Sequence, residues 1–366
     1  MSLTPIETAD ALHAARNRLI AAPLALDTEF VRERTWYPQL ALVQVADANG
    51  TVLLVDPQAA GLRTELAALV AGAEALMHSA SEDLVAFRHA LGVLPARLFD
   101  TQIAAAFAGL GPGLGYQNLV QQLLGLSLDK GETRSDWLKR PLSPRQLDYA
   151  AEDVRHLHAL TDTLRARLQA RGHAERAEAD MARLLDGARE ERDDPQPHLA
   201  LRPAAQLDRP AQARLRRLLR WRESAARQRD LPRRWLLDND VALELARRPP
   251  ASPHALAAVL ESSRSARRLQ AEIGALLAAP MDEDEAQMPL ATDSERADRA
   301  RLKALQAVVA EQASSLDLPE GLLCARRHLE ALLASGDWPG ALEGWRRDVL
   351  EAPMRRVLSS SACVGG

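Results

Sequence analysis

The chain has 366 residues, 47% hydrophobic and 26% charged, with a formal net charge of −4. That length exceeds what one hydrophobic core usually holds, and the balance is that of an ordinary globular protein, so more than one domain is expected and a disordered or fibrous chain is excluded. No run approaches the roughly 18 to 20 apolar residues of a membrane-spanning helix, and two cysteines, Cys324 and Cys363, exclude a disulfide framework or a thiolate-rich metal site.

The N-terminus, MSLTPIETADALHAARNRL, lacks the basic, apolar and small-residue succession of a secretory leader, so a reducing cytoplasm is the expected setting. PLALDTEF at 23–30, LALVQVAD at 40–47 and TVLLVD at 51–56 are apolar runs of strand length. Asn49-Gly50 between the last two is a hairpin signal. Three sequential strands therefore predict an antiparallel meander. A helical stretch near 61–72, the run ALMHS at 75–79, a helix over 81–91 and the run RLFD at 97–100 then alternate, which adds parallel strands to the same sheet. GLGPGLG at 109–115 reads as a loop and matches no dinucleotide fingerprint, so no dinucleotide cofactor is expected. From about Gln117 onward the pattern is helical.

Charges and two prolines in AREERDDPQPH, 188–198, mark a domain boundary. AAPMDEDEAQMPLATDSE, 278–295, is acidic and reads as a solvated linker. Around that linker the chain repeats at an offset of 87: LRRLLRWRESAARQRDLPRRWLL at 215–237 aligns with LKALQAVVAEQASSLDLPEGLLC at 302–324, with Asp230-Leu231-Pro232 falling on Asp317-Leu318-Pro319. Each copy is an amphipathic helix, a turn and a second helix, the pattern of a small bundle. The expected fold is thus α/β, a mixed sheet with flanking helices over 1–190, then all-helical domains over 200–280 and 296–366 joined by a linker at 281–295. The tail around Cys363 is expected to be disordered.

Leu201 to Pro250 holds thirteen arginines against six acids, a plausible phosphate-facing surface despite the acidic chain average. Arg214, Arg217, Arg220, Arg227 and Arg233 are the candidate contacts. Phe30, Trp36 and Tyr37 have two readings, stacking on a terminal base or packing of the hairpin.

Asp27 and Glu29 stand two apart on an otherwise apolar strand, so both project from one face. Two like charges there persist only with a positive counterpart, and hard divalent cations suit oxygen ligands. The competing reading is a strand end turned to water. Tyr149 and Asp153 stand four apart on a helix, one above the other, though an inward-packed tyrosine gives the same pattern. Asp83 falls in a first helical turn, where the helix dipole alone favours an acid. Asp100 reads as a helix cap or an outer support of the site. His156 and His158, two apart on a helix, face different ways and are poor metal ligands.

Taken in order, DTEF, TWYPQLALVQVAD, HSASEDL, LFDTQIAAAF and LDKGETRSDWLKRPLSPRQLDYAAEDV closely resemble the ribonuclease D family of DEDD exonucleases over about residues 20–165, and the helical remainder resembles paired HRDC domains. The resemblance implies a ribonuclease H-like sheet and a 3′→5′ exoribonuclease. It implies metal-ligand roles for Asp27, Glu29, Asp83 and Asp153 and a water-positioning role for Tyr149. Asp148 stands where the histidine subclass has its histidine, so the tyrosine subclass is implied. Two Mg²⁺ or Mn²⁺ ions are the expected cofactors, and RNA, tRNA precursors above all, the expected partner. A nuclease acting on DNA ends and an HRDC-type nucleic-acid-binding protein are the alternatives. A helicase is excluded by the lack of a phosphate-binding GxxxxGK[ST] loop.

Overall fold

The computed structural model describes residues 4–17, 19, 23–128, 131–132, 135–191, 193–261, 264–292 and 296–360. The elements follow in the order α1 (Ala9–Arg16), β1 (Leu24–Val31), β2 (Gln39–Ala46), β3 (Val52–Val55), α2 (Leu62–Gly72), β4 (Glu74–Met77), α3 (Ser81–Leu91), β5 (Arg97–Asp100), α4 (Thr101–Phe107), α5 (Tyr116–Leu124), α6 (Pro144–Arg155), α7 (Leu157–Ala170) and α8 (Ala174–Arg189). The helical remainder holds α9 (Arg209–Arg229), α10 (Arg233–Leu236), α11 (Asn239–Arg247), α12 (Pro253–Val259), α13 (Arg264–Arg268), α14 (Gln270–Ala278), α15 (Glu283–Gln287), α16 (Arg296–Ser315), α17 (Glu320–Leu323), α18 (Arg326–Ser335) and α19 (Trp345–Ser360). The tail around Cys363 lies outside the described residues.

The meander and the parallel additions form one five-stranded sheet in the order β3-β2-β1-β4-β5. β2 runs antiparallel to β1 and β3, and β4 parallel to β1 and β5. The hairpin closes as its Asn-Gly pair requires: Gly50 takes φ 80°, and the Asp47 carboxylate accepts from the Asn49 and Thr51 amides at 3.0 and 2.8 Å. One sheet face buries Leu26, Val43 and Val45 against Leu66, Val70, Leu84 and Phe87 from α2 and α3. The other packs Leu42 and Leu54 on Trp137, Leu142, Leu147 and Ala150. That second face brings α6 onto the sheet beside the acids of β1.

Two local features shape the space over β1. Its parallel pairing with β4 covers only Leu24 and Ala25, so from Asp27 onward that edge is open. A bulge between Glu29 and Phe30 then skips Ala41 of β2, and bulges bend a strand and re-aim its side chains. Asp27 and Glu29 stand past the short stretch of β1 that pairs with β4, toward the carboxyl ends of the parallel strands, the side on which α/β sheets bind their ligands.

The described chain forms two compact units, one of residues 1–32, 37–191 and 309–325, the other of 33–36, 192–308 and 326–366. The 87-residue repeat is accurate at the level of the backbone. Asp230 and Asp317 both adopt left-handed conformations, at φ 48° and 53°. Leu231 N–H donates to Ala226 O at 3.0 Å, and Leu318 N–H to Ala313 O at 2.9 Å. Leu237 closes on Arg233 at 3.0 Å and Cys324 on Glu320 at 2.8 Å, so helix, turn and short second helix are reproduced position by position. The surroundings differ. Asp317 is held within the first unit by Arg171, whose guanidinium donates to its carboxylate at 2.6 Å and to its carbonyl at 2.9 Å.

The acidic segment keeps most of its described residues exposed, as expected of a solvated linker, but buries Glu285 and Met288. Over its described residues it folds back on α9: Asp282 caps α15, and Glu285 is buried against Arg217. Arg216 reaches Asp284 at 2.7 Å, and Gln212 exchanges hydrogen bonds with both backbone polar groups of Ala291. Glu285 meets Arg217 through two charge-assisted hydrogen bonds, and backbone carbonyls satisfy the remaining donors of that arginine, which offsets the cost of burying the pair.

Candidate active site

The acids reach one another from three elements. Asp27 and Glu29 stand on β1 and project from the face that α6 covers, as the two-residue strand period dictates. α6 starts at Ser143 through a capping box with Gln146, and Arg140, paired with Asp56 and donating to Ala41 O, pins the segment before it. The helix buries Leu147, Ala150, Ala151 and Val154, which turns Tyr149 and Asp153 toward the β1 acids. One carboxylate oxygen from each of Asp27, Glu29 and Asp153 lies within 4.8 Å of the other two.

Asp83 enters from the first turn of α3 and is 7% exposed. Its Oδ1 accepts a short hydrogen bond from the hydroxyl of Thr28, on the strand between the two β1 acids. The turn before α3 is fixed by Asp100, whose carboxylate accepts from Ser79 and Ala80 as well as from Gln102 and Ile103. Asp100 is therefore a cap of α4 that also sets the entry of Asp83, and it holds Ser79 at φ 58°.

Burial raises all four carboxyl pKa values. Asp27 is pushed well up by burial and then by Asp153, Asp83 by burial and then by Asp27. Glu29 is pushed up to about 10 by burial and by the charges of Asp27, Asp153 and Asp83. Asp153 is raised by burial too, while the Tyr149 hydroxyl, donating to it, works in the opposite direction. Acids so placed repel one another, and no arginine or lysine pairs with any of them among the described residues. An all-oxygen donor set with excess negative charge fits a hard divalent cation and fits no soft metal.

Tyr149 is also driven upward, by burial and by the charge of Asp153, so its hydroxyl stays protonated. Its ring lies 6.1 Å from that of Trp137. Sequence reasoning missed Tyr116, whose hydroxyl is repelled as an anion by Asp153 and Asp27 and donates instead to the carbonyl of Glu152 at 2.9 Å. An aromatic after a glycine loop gave no signal of this.

The other expected residues have internal occupations. Trp36 is 7% exposed, with the guanidinium groups of Arg233 and Arg227 4.1 and 5.6 Å from its ring centre. Tyr37 stacks on His89 at 3.8 Å, and Phe30 packs on the core, so the packing reading holds for these aromatics. Arg214 donates to Ala246 O, Arg227 pairs with Asp193 and Glu223, and Arg233 pairs with Glu223. Arg217 spends its donors on Glu285 and on the carbonyls of Leu276, Ala279 and Pro280. These internal contacts engage donors of four of the five, while Arg233 stays exposed beside its pair with Glu223. Arg220 alone of the five is exposed without a hydrogen-bond partner among the described residues. His156 lies 3.2 Å from Glu152 and His158 3.3 Å from Ala46 O, and neither joins the acid cluster.

A mixed sheet of this topology, with a carboxylate cluster gathered from β1 and α6, is the frame of a metal-dependent hydrolase acting on phosphodiesters, and comparison with known proteins gives the class as 3′→5′ exonuclease. The family model described as 3′-5′ exonuclease matches residues 3–169, and that described as HRDC domain matches residues 211–277. The chain is 49% identical to ribonuclease D of Xanthomonas oryzae pv. oryzae over 360 residues, 98% of each protein. It superposes on the crystal structure of Escherichia coli RNase D with a TM-score of 0.85 and 31% identity, covering 98% of this chain and 99% of that one. The catalytic core of RRP6 from Trypanosoma brucei shares the fold at a TM-score of 0.59 and 22% identity, over 75% of this chain and 78% of that one. The chain belongs to the ribonuclease D family and is a 3′→5′ exoribonuclease, a class that depends on divalent metal.

Proposed function

We propose that the chain trims the 3′ ends of structured RNA, tRNA precursors among them, in the cytoplasm, releasing nucleoside 5′-monophosphates. The observation that carries the reading is the meeting of Asp27 and Glu29 with Asp153, more than a hundred residues away, in one half-buried carboxylate cluster. Together with Asp83 these residues would hold two Mg²⁺ or Mn²⁺ ions. When bound, such a pair lowers the pKa of an attacking water and neutralises charge on the leaving 3′ oxygen.

The protein's own groups do the rest. Loss of a proton from Tyr149 is disfavoured, since its pKa lies above an ordinary value near 10, so it serves by orienting the water rather than as its base. Asp153 accepts from that hydroxyl and fixes its direction. Thr28 does the same for Asp83. The helical units hold the RNA body, with Arg220 a phosphate contact, and phosphate contacts position without reading sequence.

The test is degradation of matched RNA and DNA oligonucleotides, blocked or free at the 3′ end, with Mg²⁺, with Mn²⁺ and with chelator. Stepwise shortening of free-ended RNA with release of 5′-mononucleotides is expected. Shortening of neither polymer with metal present would remove the reading, and preferred shortening of DNA would move it to DNA ends.

A further inference from the structure

α6 and α7 are separated by one residue. An uninterrupted helix would bond the N–H of His156 to the carbonyl of Glu152, the ordinary four-residue step. Instead α6 stops at Arg155, His156 takes φ −100° and ψ −3°, and α7 starts at Leu157. The hydroxyl of Tyr116 occupies the gap. It donates to Glu152 O at 2.9 Å and lies 3.4 Å from the His156 nitrogen, in position to accept from it. A side chain inserted into the helical ladder is a recognised cause of a kink.

The interrupted step starts one residue before Asp153, the only acid of the cluster that α6 supplies. Tyr116 is the first residue of α5, and its ring meets the ring of His78 edge-on, at 5.6 Å and 61°. His78 lies between β4 and α3, with Nδ1 2.9 Å from the Thr101 hydroxyl, which itself donates to Met77 O. One tyrosine thus touches the segment that leads into the Asp83 helix with its ring and the segment that carries Asp153 with its hydroxyl.

We propose that Tyr116 is a positioning residue: its hydroxyl, wedged between Glu152 and His156, sets the bend from α6 into α7 and so places Asp153 against Asp27 and Glu29. The inference rests on the metal-site reading above. The His156 N–H also reaches the Val154 carbonyl, so removing the hydroxyl lets it exchange that contact for the ordinary one to Glu152 O, which straightens the helix and withdraws Asp153 from the cluster.

The experiment uses the full chain with Tyr116→Phe, which keeps the ring and its contact with His78. Mn²⁺ binding is measured by calorimetry without RNA, beside kcat, KM for an RNA oligonucleotide and the metal-free melting temperature. Residues that orient metal ligands typically alter affinity or activity by 10- to 100-fold, so a loss of about ten-fold in Mn²⁺ affinity and in kcat is expected. KM for RNA should stay within about two-fold and melting near the wild-type value. Unchanged Mn²⁺ affinity and kcat in Tyr116→Phe would overturn the inference. So would a loss accompanied by a collapse in melting temperature, or a rise in KM for RNA as large as the loss in Mn²⁺ affinity. A wild-type chain that shortens no RNA would refute the functional reading itself, whatever Tyr116 does to Mn²⁺ binding.

Discussion

The two units handle charge in opposite ways. Around β1 and α6, carboxylates are gathered and left without a basic partner, so their protonated forms are favoured. Along α9 the arginines are numerous, yet half of the eight meet acids within the fold, Arg216 with Asp284, Arg217 with Glu285, Arg227 with Asp193 and Glu223 and Arg229 with Glu272, while Arg209, Arg214 and Arg222 donate to backbone carbonyls. A charge already paired inside the protein has little left to offer a ligand. A charge the fold leaves unbalanced is where a ligand can lower the free energy most. The acid cluster therefore marks the chemical site more reliably than the arginine count marks an RNA surface.

The strongest attempt to break this contrast is Asp153→Asn or Asp27→Ala. Turnover should fall by about three orders of magnitude or more, equivalent to ~4 kcal/mol of barrier. RNA binding, measured by filter retention, should remain within several-fold. Substantial turnover in either variant would show that the unbalanced acids are not the reacting centre. Next comes Arg217→Ala, which strands Glu285, only 4% exposed, without its partner. Breaking such a buried pair costs about 3 to 5 kcal/mol, readable in urea unfolding. Loss of RNA binding at unchanged stability would return Arg217 to the RNA surface.

Acidity gives a third test. The Glu29 pKa is raised from 4.5 to about 10, so between those values the metal-free folded state holds more protons than the unfolded chain. Stability is then greatest below about pH 4.5 as far as this group is concerned, and is lost as pH rises towards 10. Asp27, Asp83 and Asp153 act in the same direction. The melting temperature of the metal-free chain should therefore fall from pH 5.5 to pH 8.5, and added Mn²⁺ should raise it more at the higher pH. A flat profile in chelator would mean that the cluster is relieved by some other partner. The smallest effect is expected from Arg220→Ala. Losing one phosphate contact should reduce the salt dependence of RNA binding by about one unit and leave melting unchanged. An unchanged salt slope would leave α9 without a phosphate contact at this position.

The two repeat copies make the same point on a smaller scale. Both keep the left-handed aspartate and the bond that closes behind it, because an Asp-Leu-Pro turn after a helix is a local instruction. The first copy's basic flank holds Arg227 and Arg233 over Trp36, while the second copy's aspartate is gripped by Arg171. Repetition preserved the backbone but not the neighbours.

By itself the sequence determined whatever is periodic or local. The two-residue strand period put Asp27 and Glu29 on one face, the four-residue helical step put Tyr149 over Asp153, Asn49-Gly50 closed the hairpin, and an 87-residue offset exposed the repeat. Only the tertiary structure decided what distant side chains do with one another. It buried Glu285 in a segment that reads as solvated, spent Arg217 on backbone carbonyls, folded Trp36 beneath two arginines and set the Tyr116 hydroxyl into a gap between two helices. A side chain's periodicity states which face it takes. What meets that face is fixed by long-range packing, and no spacing along the chain encodes it.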